Sequence, residues 1–182
     1  ERPYVLAIGN FYLHKHQERV VEMCAAAFGT GVGAPPLVIV GNDGQRSALR
    51  RFDRTVKRLA YPVLRLEGLD AADLRILYRH CLAYVSASTR EAYPLTPEEA
   101  EREGARIVLS DIPAHREVLP SAEFFPADDP TRGGSMLARI TSHDDAVARG
   151  RRNSTEDPSS RGWQTHAGEL RRLFCELGAQ RT

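Results

Sequence analysis

Short apolar runs alternate along the chain with longer stretches in which apolar residues recur at helical spacing. The runs have strand length and span residues 4–8, 37–40, 63–66, 82–86, 107–109 and 123–125. The spacing between them predicts helices over residues 17–28, 45–59, 71–80, 96–103 and 113–119. This alternation predicts an α/β fold, namely a Rossmann-like, doubly wound parallel sheet of about six strands with helices on both faces.

In a parallel sheet of this kind, every loop that leads from a strand into a helix lies at the same edge, and ligands bind at that edge. The loops that meet this description cover residues 9–16, 41–44, 67–70, 87–96 and 110–113. The C-terminal part differs, because residues 141–161 are polar and helical spacing resumes over residues 163–177, where we expect a C-terminal helix. We treat residues 1–182 as a single domain.

The length and composition fit a globular domain, since 182 residues with 42% hydrophobic residues can bury a core of their own. The net charge of +1 disfavours a general nucleic-acid-binding protein. No apolar run approaches the ~20 residues that cross a bilayer. The three cysteines are far apart and lack disulfide or zinc spacing, so we expect a cytoplasmic protein. The first apolar run begins at Tyr4, which suggests an excised domain or the back half of a longer enzyme.

The loop and helix over residues 88–101 carry the strongest chemical signal. Pro94 and Pro97 prevent one continuous helix through this segment. Thr96 is a suitable N-cap, and Pro97 suits the first helical position. The N-terminus of such a helix exposes backbone N–H groups at the ligand edge and therefore favours a phosphate group.

Two carboxylates, Glu91 and Glu99, flank this predicted helix start. Carboxylates accept hydrogen bonds from the vicinal hydroxyls of hexoses and riboses. A phosphate site between two hydroxyl acceptors describes a nucleotide-sugar. A structural alternative stays open for each residue, because Thr96 and Glu99 have the spacing of a capping box and Glu91 has the features of a solvated loop residue.

The remaining edge loops carry weaker signals. Lys15 follows the first strand at the ligand edge, and taken alone it is a plausible exposed loop lysine. His14 and His16 lack a third ligand nearby in sequence, so we expect no metal site. Residues 41–44 form a tight turn without the G-x-G-x-x-G spacing of nicotinamide-cofactor sites. We expect residues 115–117 on a surface helix.

The ordered set of motifs resembles the retaining glycosyltransferases of GT-B fold, family four, also called glycosyl transferases group 1. Glu91 and Glu99 have the family's spacing of Glu, seven residues, Glu, with Tyr93 at its aromatic position and Ala100 after the second Glu. The segments 68–78, 83–88, 104–118 and 123–130 are also similar to family segments. The resemblance covers nearly the whole chain and implies the C-terminal, donor-binding half of a GT-B fold, with the acceptor domain absent.

The resemblance also implies roles for individual residues. It implies no metal and no cofactor apart from the donor substrate, for which a UDP- or GDP-sugar is favoured, and we assign no catalytic base. The implied contacts are Glu91, Tyr93 and Pro94 for the donor sugar, Glu99, Lys15, Leu95, Thr96, Gly9 and Asn10 for the ribose and diphosphate, and Leu66 and Glu67 for the base.

The expected function is therefore nucleotide-sugar binding within a retaining glycosyltransferase that transfers a hexosyl group to a glycan, lipid or other acceptor. The isolated domain is expected to be inactive. Two alternatives remain open: a non-catalytic GT-B-like scaffold or partner-binding domain, and a nucleotide-sugar epimerase-type relative. The expected partners are the nucleotide-sugar and the missing N-terminal acceptor domain, without nucleic acid. Any membrane contact is expected through that absent half, which would place the intact enzyme at the periphery of the inner membrane.

Overall fold

The computed structural model describes residues 3–31 and 33–142, which form one parallel sheet covered by helices on both faces. The strands are β1 (Val5–Ile8), β2 (Leu37–Val40), β3 (Val63–Leu66), β4 (Ala83–Ser86), β5 (Ile107–Ser110) and β6 (Glu123–Phe125). The helices are α1 (Gln17–Phe28), α2 (Arg46–Leu59), α3 (Ala71–His80), α4 (Leu95–Arg102), α5 (Pro113–Val118) and α6 (Pro130–Ile140).

The strand order is β3-β2-β1-β4-β5-β6, and every neighbouring pair is parallel. This order confirms the predicted Rossmann-like sheet with six strands. The direction of winding reverses between β1 and β4, and a crevice opens at the carboxyl ends of these two strands. The loops that follow β1 and β4 therefore flank the position at which such folds bind their ligands.

Alternate residues of each strand enter two separate cores, as the two-residue period of a strand requires. On one face, Val5 of β1 packs in a cluster with residues of α1, α2 and α6. On the other face, Leu6 packs with residues of α3 and α4. Both faces are dry, because Val5 and Leu6 are each fully buried. The sheet is therefore a rigid platform for the loops at its carboxyl edge.

Helix α6 was not predicted from the sequence, and its packing explains why. Gly133 and Gly134 have low helix propensity, yet both lie inside α6 and are buried against α1. A Cβ added at Gly134 would lie 2.7 Å from the carbonyl oxygen of Met23, so only glycine lets the two helices approach this closely. Tertiary packing thus outweighs local propensity in this helix.

The other predicted elements agree with the structure to within one residue at each end. The start of α4 differs in its capping residue, because the helix begins at Leu95 and Pro94 occupies the N-cap position. The predicted helix over residues 163–177 and the polar segment after residue 142 lie outside the described residues. Within the ranges described above, no helix is long and apolar enough to span a membrane.

Candidate functional site

The loop after β1 is held against the end of β2 by backbone contacts. The Gly9 N–H donates to the Val40 carbonyl at 2.8 Å, and the Gly41 N–H donates to the Leu66 carbonyl at 3.0 Å. A Cβ added at Gly41 would lie 2.3 Å from the Gly9 carbonyl oxygen, which is closer than any side chain allows. The glycine at position 41 therefore permits the close approach that aims the β1 loop at the crevice.

The β1 loop ends in a single 3-10 turn, Leu13–Lys15, that contacts neighbours on both sides. The Leu13 N–H donates to the side-chain oxygen of Gln45 at 2.8 Å. On the opposite side, the Thr89 N–H donates to the His14 carbonyl at 2.8 Å. The second contact joins the β1 loop directly to the β4 loop across the crevice.

Lys15 and Glu91 form an ion pair between these two loops. The Lys15 Nζ lies 2.6 Å from Glu91 Oε1, and the two side chains are 22% and 12% exposed. The sequence predicted the two residues as separate contacts for a diphosphate and a sugar, and the structure brings them together although they are 76 positions apart. A cation and a carboxylate that can accept hydrogen bonds from hydroxyl groups therefore lie in direct contact at the carboxyl ends of β1 and β4.

A further basic residue, Arg90, lies near this pair and was not identified from the sequence. Burial lowers the pKa of His14 below its ordinary value, and the positive charges of Lys15 and Arg90 lower it further, while Glu91 acts in the opposite direction. His14 is therefore neutral at pH 7. The positive charge near the mouth of the crevice therefore belongs to Lys15 and Arg90.

The start of α4 does not form the capping box that the sequence allowed. The Thr96 hydroxyl lies 2.8 Å from the Tyr84 hydroxyl, and Glu99 accepts a hydrogen bond of 3.0 Å from the Tyr78 hydroxyl. Burial raises the pKa of both tyrosines well above the ordinary value, so both hydroxyls keep their protons. Thr96 as N-cap was thus a wrong prediction, because a buried tyrosine engages its hydroxyl from below.

The first turn of α4 offers fewer backbone donors than the sequence suggested. Pro94 and Pro97 have no N–H group, and the Leu95 N–H donates to the Tyr93 carbonyl at 3.1 Å. The Thr96 N–H is left as the first-turn donor without an acceptor in the part of the chain that is described. Leu95 is 61% exposed, so its side chain does not pack into the core.

The other residues predicted for the sugar and the diphosphate are held by protein contacts. Tyr93 is 52% exposed and donates its hydroxyl hydrogen to Glu98 at 2.9 Å, whereas Pro94 is buried. The side-chain oxygen of Asn10 accepts the Asn42 N–H at 3.0 Å. Asn10 thus helps to fix the β2 loop through its side chain.

The residues predicted to frame a base lie at the carboxyl end of β3. The Leu66 side chain is buried in the core, so only its backbone is near the edge. Glu67 accepts a hydrogen bond from Arg65 at 3.2 Å, and Arg65 also pairs with Asp43 and lies over the Phe11 ring at 4.5 Å. These contacts of Arg65 were not identified from the sequence, and they hold together the loops that follow β1, β2 and β3.

His115 is not a surface residue, which contradicts the expectation for residues 115–117. Its side chain lies on the inner face of α5 and is fully buried, whereas Arg116 and Glu117 are exposed as expected. His115 Nδ1 lies 2.8 Å from the Ser110 carbonyl oxygen at the end of β5. The burial of His115 could not be predicted, because a six-residue helix has too few apolar positions to indicate its buried face.

No group of three or more His, Cys, Asp or Glu residues is arranged to hold a metal ion in residues 3–31 and 33–142. The chemical inventory of the crevice is therefore a lysine, a nearby arginine, two carboxylates and a small number of backbone donors.

The fold and this inventory define a Rossmann-like α/β domain of the kind that forms half of a GT-B glycosyltransferase, with a charged ligand edge at the point where the sheet reverses. The family model described as glycosyl transferases group 1 matches residues 1–132, so the chain belongs to that family. This confirms the resemblance of the sequence motifs. A comparison with curated proteins gave no significant match.

Solved glycosyltransferase structures share the fold at low sequence identity. The apo structure of OtsA superposes with a TM-score of 0.70 at 14% identity, covering 81% of this chain and 38% of that one. A UDP-forming α,α-trehalose-phosphate synthase from Burkholderia vietnamiensis gives 0.69 at 16% identity, with 93% and 45% covered. Anabaena Alr3699/HepE in complex with UDP-glucose gives 0.65 at 17% identity, with 82% and 44% covered. The chain thus spans less than half the length of these three relatives.

Proposed function

We propose that this chain is the donor-binding domain of a retaining glycosyltransferase, which holds a nucleoside-diphosphate sugar while an acceptor domain presents the second substrate. The transferred group is a hexosyl group, and the acceptor is a glycan, a lipid or another hydroxyl compound. The observation that carries the proposal is the Lys15–Glu91 pair at the reversal point of the sheet. Family membership and the UDP-glucose named for the HepE structure support the same class of donor.

The chemistry of the pair suits the diphosphate and the adjoining sugar of such a donor. A diphosphate is a stronger partner for Lys15 than one carboxylate, since it offers several anionic oxygens. Glu91, once shared or released by Lys15, accepts hydrogen bonds from sugar hydroxyls. In the free protein each residue keeps the other in place, so the site is preorganised without leaving a lone charge in a half-buried position.

Stabilisation of the leaving diphosphate would come from Lys15, with Arg90 as a second cation near the mouth. Positive charge placed where negative charge develops stabilises the transition state of the transfer. The Thr96 N–H at the start of α4 adds a backbone donor at the same edge. Glu99 would take the ribose through the carboxylate oxygen that Tyr78 does not engage.

A calorimetric screen of the protein against UDP, GDP, ADP and dTDP tests the proposal. We expect selective binding of one diphosphate, with UDP and GDP favoured. Lys15→Met should weaken it about tenfold or more, because a charge-assisted contact is lost. Glu99→Ala should weaken it as well. Lys57→Met and Glu101→Gln are matched controls, since both residues are exposed and lie away from the crevice. Failure of all four diphosphates to bind would refute the proposal.

A second candidate is a non-catalytic relative that keeps the fold as a scaffold or partner-binding domain. Pro94 and Pro97 favour it, because they remove N–H donors from the turn that faces the crevice. The calorimetric screen separates the two candidates, since a scaffold binds no diphosphate. The epimerase-type alternative would bind the donor and convert it without an acceptor, which incubation with UDP-glucose and product analysis would detect.

A further inference from the structure

His115 is a fully buried imidazole whose hydrogen-bonding state can be assigned from its contacts. Its Nδ1 lies 2.8 Å from the Ser110 carbonyl oxygen. A carbonyl oxygen only accepts, so the proton of the neutral ring must be on Nδ1 and Nε2 carries the lone pair. Nε2 is buried and has no hydrogen-bond partner among the residues described. Buried polar atoms without a hydrogen-bond partner are uncommon in folded proteins, so the position of this ring needs an explanation beyond packing.

A chain of contacts runs from His115 to the loops of the donor site. Ser110, which accepts from His115, donates its hydroxyl hydrogen to the Ser88 carbonyl. Ser88 is fully buried and lies three positions before Glu91. The next residue, Thr89, holds the His14 carbonyl with its N–H. Helix α5 is thereby connected to the β4 loop and, through it, to the β1 loop.

The electrostatic surroundings point in the same direction. Burial lowers the pKa of His115, and the field of Lys15 lowers it further, while the Ser110 contact and the field of Glu91 raise it. The two charged groups that act on the ring, Glu91 and Lys15, are the partners of the ion pair, although they belong to other parts of the fold. His115 is therefore a neutral group within electrostatic range of the site.

We propose that His115 is a positioning residue of the donor site, which fixes the segment carrying Glu91 through Ser110 and Ser88. The inference rests on the proposed function for its ligand measurements, but its connection to the ion pair can be tested without any ligand. His115 does not contact the reacting atoms in this arrangement. Its effect passes through the backbone of the β4 loop, which sets where the Glu91 carboxylate can meet the sugar.

The ligand-free test is a titration of His115 followed by 15N NMR of the ring nitrogens. We expect the neutral ring of His115 to be the Nδ1–H tautomer. Glu91→Gln should lower the pKa of His115 and Lys15→Met should raise it, whereas Lys57→Met should leave it unchanged. Observation of the Nε2–H tautomer, or a pKa of His115 that neither substitution changes, would overturn the proposal.

The ligand test uses His115→Asn and His115→Phe in calorimetry with UDP and UDP-glucose, or with GDP and GDP-mannose if the wild-type protein prefers GDP. The amide nitrogen of Asn is as far along the side chain as Nδ1 and can still donate to Ser110, whereas Phe cannot. We expect the ratio of the sugar-nucleotide Kd to the diphosphate Kd to rise about fivefold or more in the Phe variant and to stay near the wild-type value in the Asn variant.

A purely structural role predicts a different pattern. Loss of packing alone would weaken both ligands equally and leave the ratio of dissociation constants unchanged in His115→Phe. That outcome would contradict the proposal, as would an Asn variant that behaves like the Phe variant. If His115→Phe does not fold, the Asn variant and the NMR titration decide. If the wild-type protein binds no nucleotide, the proposed function fails, and the titration still decides whether His115 is connected to the ion pair.

Discussion

The ion pair between Lys15 and Glu91 makes a quantitative prediction about stability. The perturbation is a double-mutant cycle of Lys15→Met, Glu91→Gln and the combined variant. The charged atoms are 2.6 Å apart, and the side chains are 22% and 12% exposed, so water screens them only partly. Removing one partner from a fully buried pair costs about 3–5 kcal/mol, and a charge-assisted hydrogen bond contributes about 1.5–3 kcal/mol. With this residual exposure, we expect each single variant to lose about 2 kcal/mol.

The combined variant should lose less than the sum of the two single variants, because it leaves no unpaired charge. We expect a coupling free energy of about 1.5 kcal/mol and, for each single variant, a drop in Tm of roughly 6 °C. Urea unfolding followed by circular dichroism at pH 7.5 measures the cycle. The Glu98–Arg102 pair is the matched control, since Arg102 is 68% exposed and a surface pair should couple by only about 0.3–0.5 kcal/mol. Strict additivity for Lys15 and Glu91, or coupling no larger than in the control, would refute the argument.

Three further predictions concern Gly41, the two adjacent glycines of α6, and the buried His115. Gly41→Ala should lose about 2–3 kcal/mol in urea unfolding and weaken diphosphate binding in calorimetry, because the added methyl group meets the Gly9 backbone. Gly134→Ala should lower Tm more than Gly133→Ala, since the former meets a backbone oxygen of α1 and the latter chiefly the flexible end of Met23. Burial lowers the pKa of His115, so the unfolded chain binds a proton at a higher pH than the native state does. The free energy of unfolding should therefore be highest above about pH 6.5 and should decrease as the pH falls below that value. His115→Asn should flatten this decline in pH-dependent urea unfolding.

The sheet and most of its helices could be predicted, because burial on both faces leaves a clear pattern in the sequence. The strand β2, for example, is buried at every position and reads as an unbroken apolar run. Helix α6 could not be predicted in this way. Gly133 and Gly134 are poor helix formers in isolation, and they stabilise the fold only by letting α1 pack closely against α6.

The candidate site could be located but not assembled from the sequence. The edge rule for parallel sheets places Lys15 and Glu91 at the same end of the molecule, and the family resemblance implies their roles. Their direct pairing depends on how two loops bend toward each other, which spacing does not encode. The hydrogen bond between the Thr96 and Tyr84 hydroxyls could not be predicted for the same reason. The sequence does not show which helix packs on the face of β4 that carries Tyr84.

The proposed nucleotide-sugar site is tested most directly by mapping amide chemical shifts of the 15N-labelled protein during titration with UDP-glucose and GDP-mannose. One of these ligands should shift amides of the β1 loop around Lys15 and of the β4 loop from Ser88 to Thr96. Amides at the opposite edge of the sheet, such as those of Arg106 and Ala122, should not move. Shifts confined to that opposite edge, or a spectrum that neither ligand changes, would contradict the assignment of this crevice as a donor site.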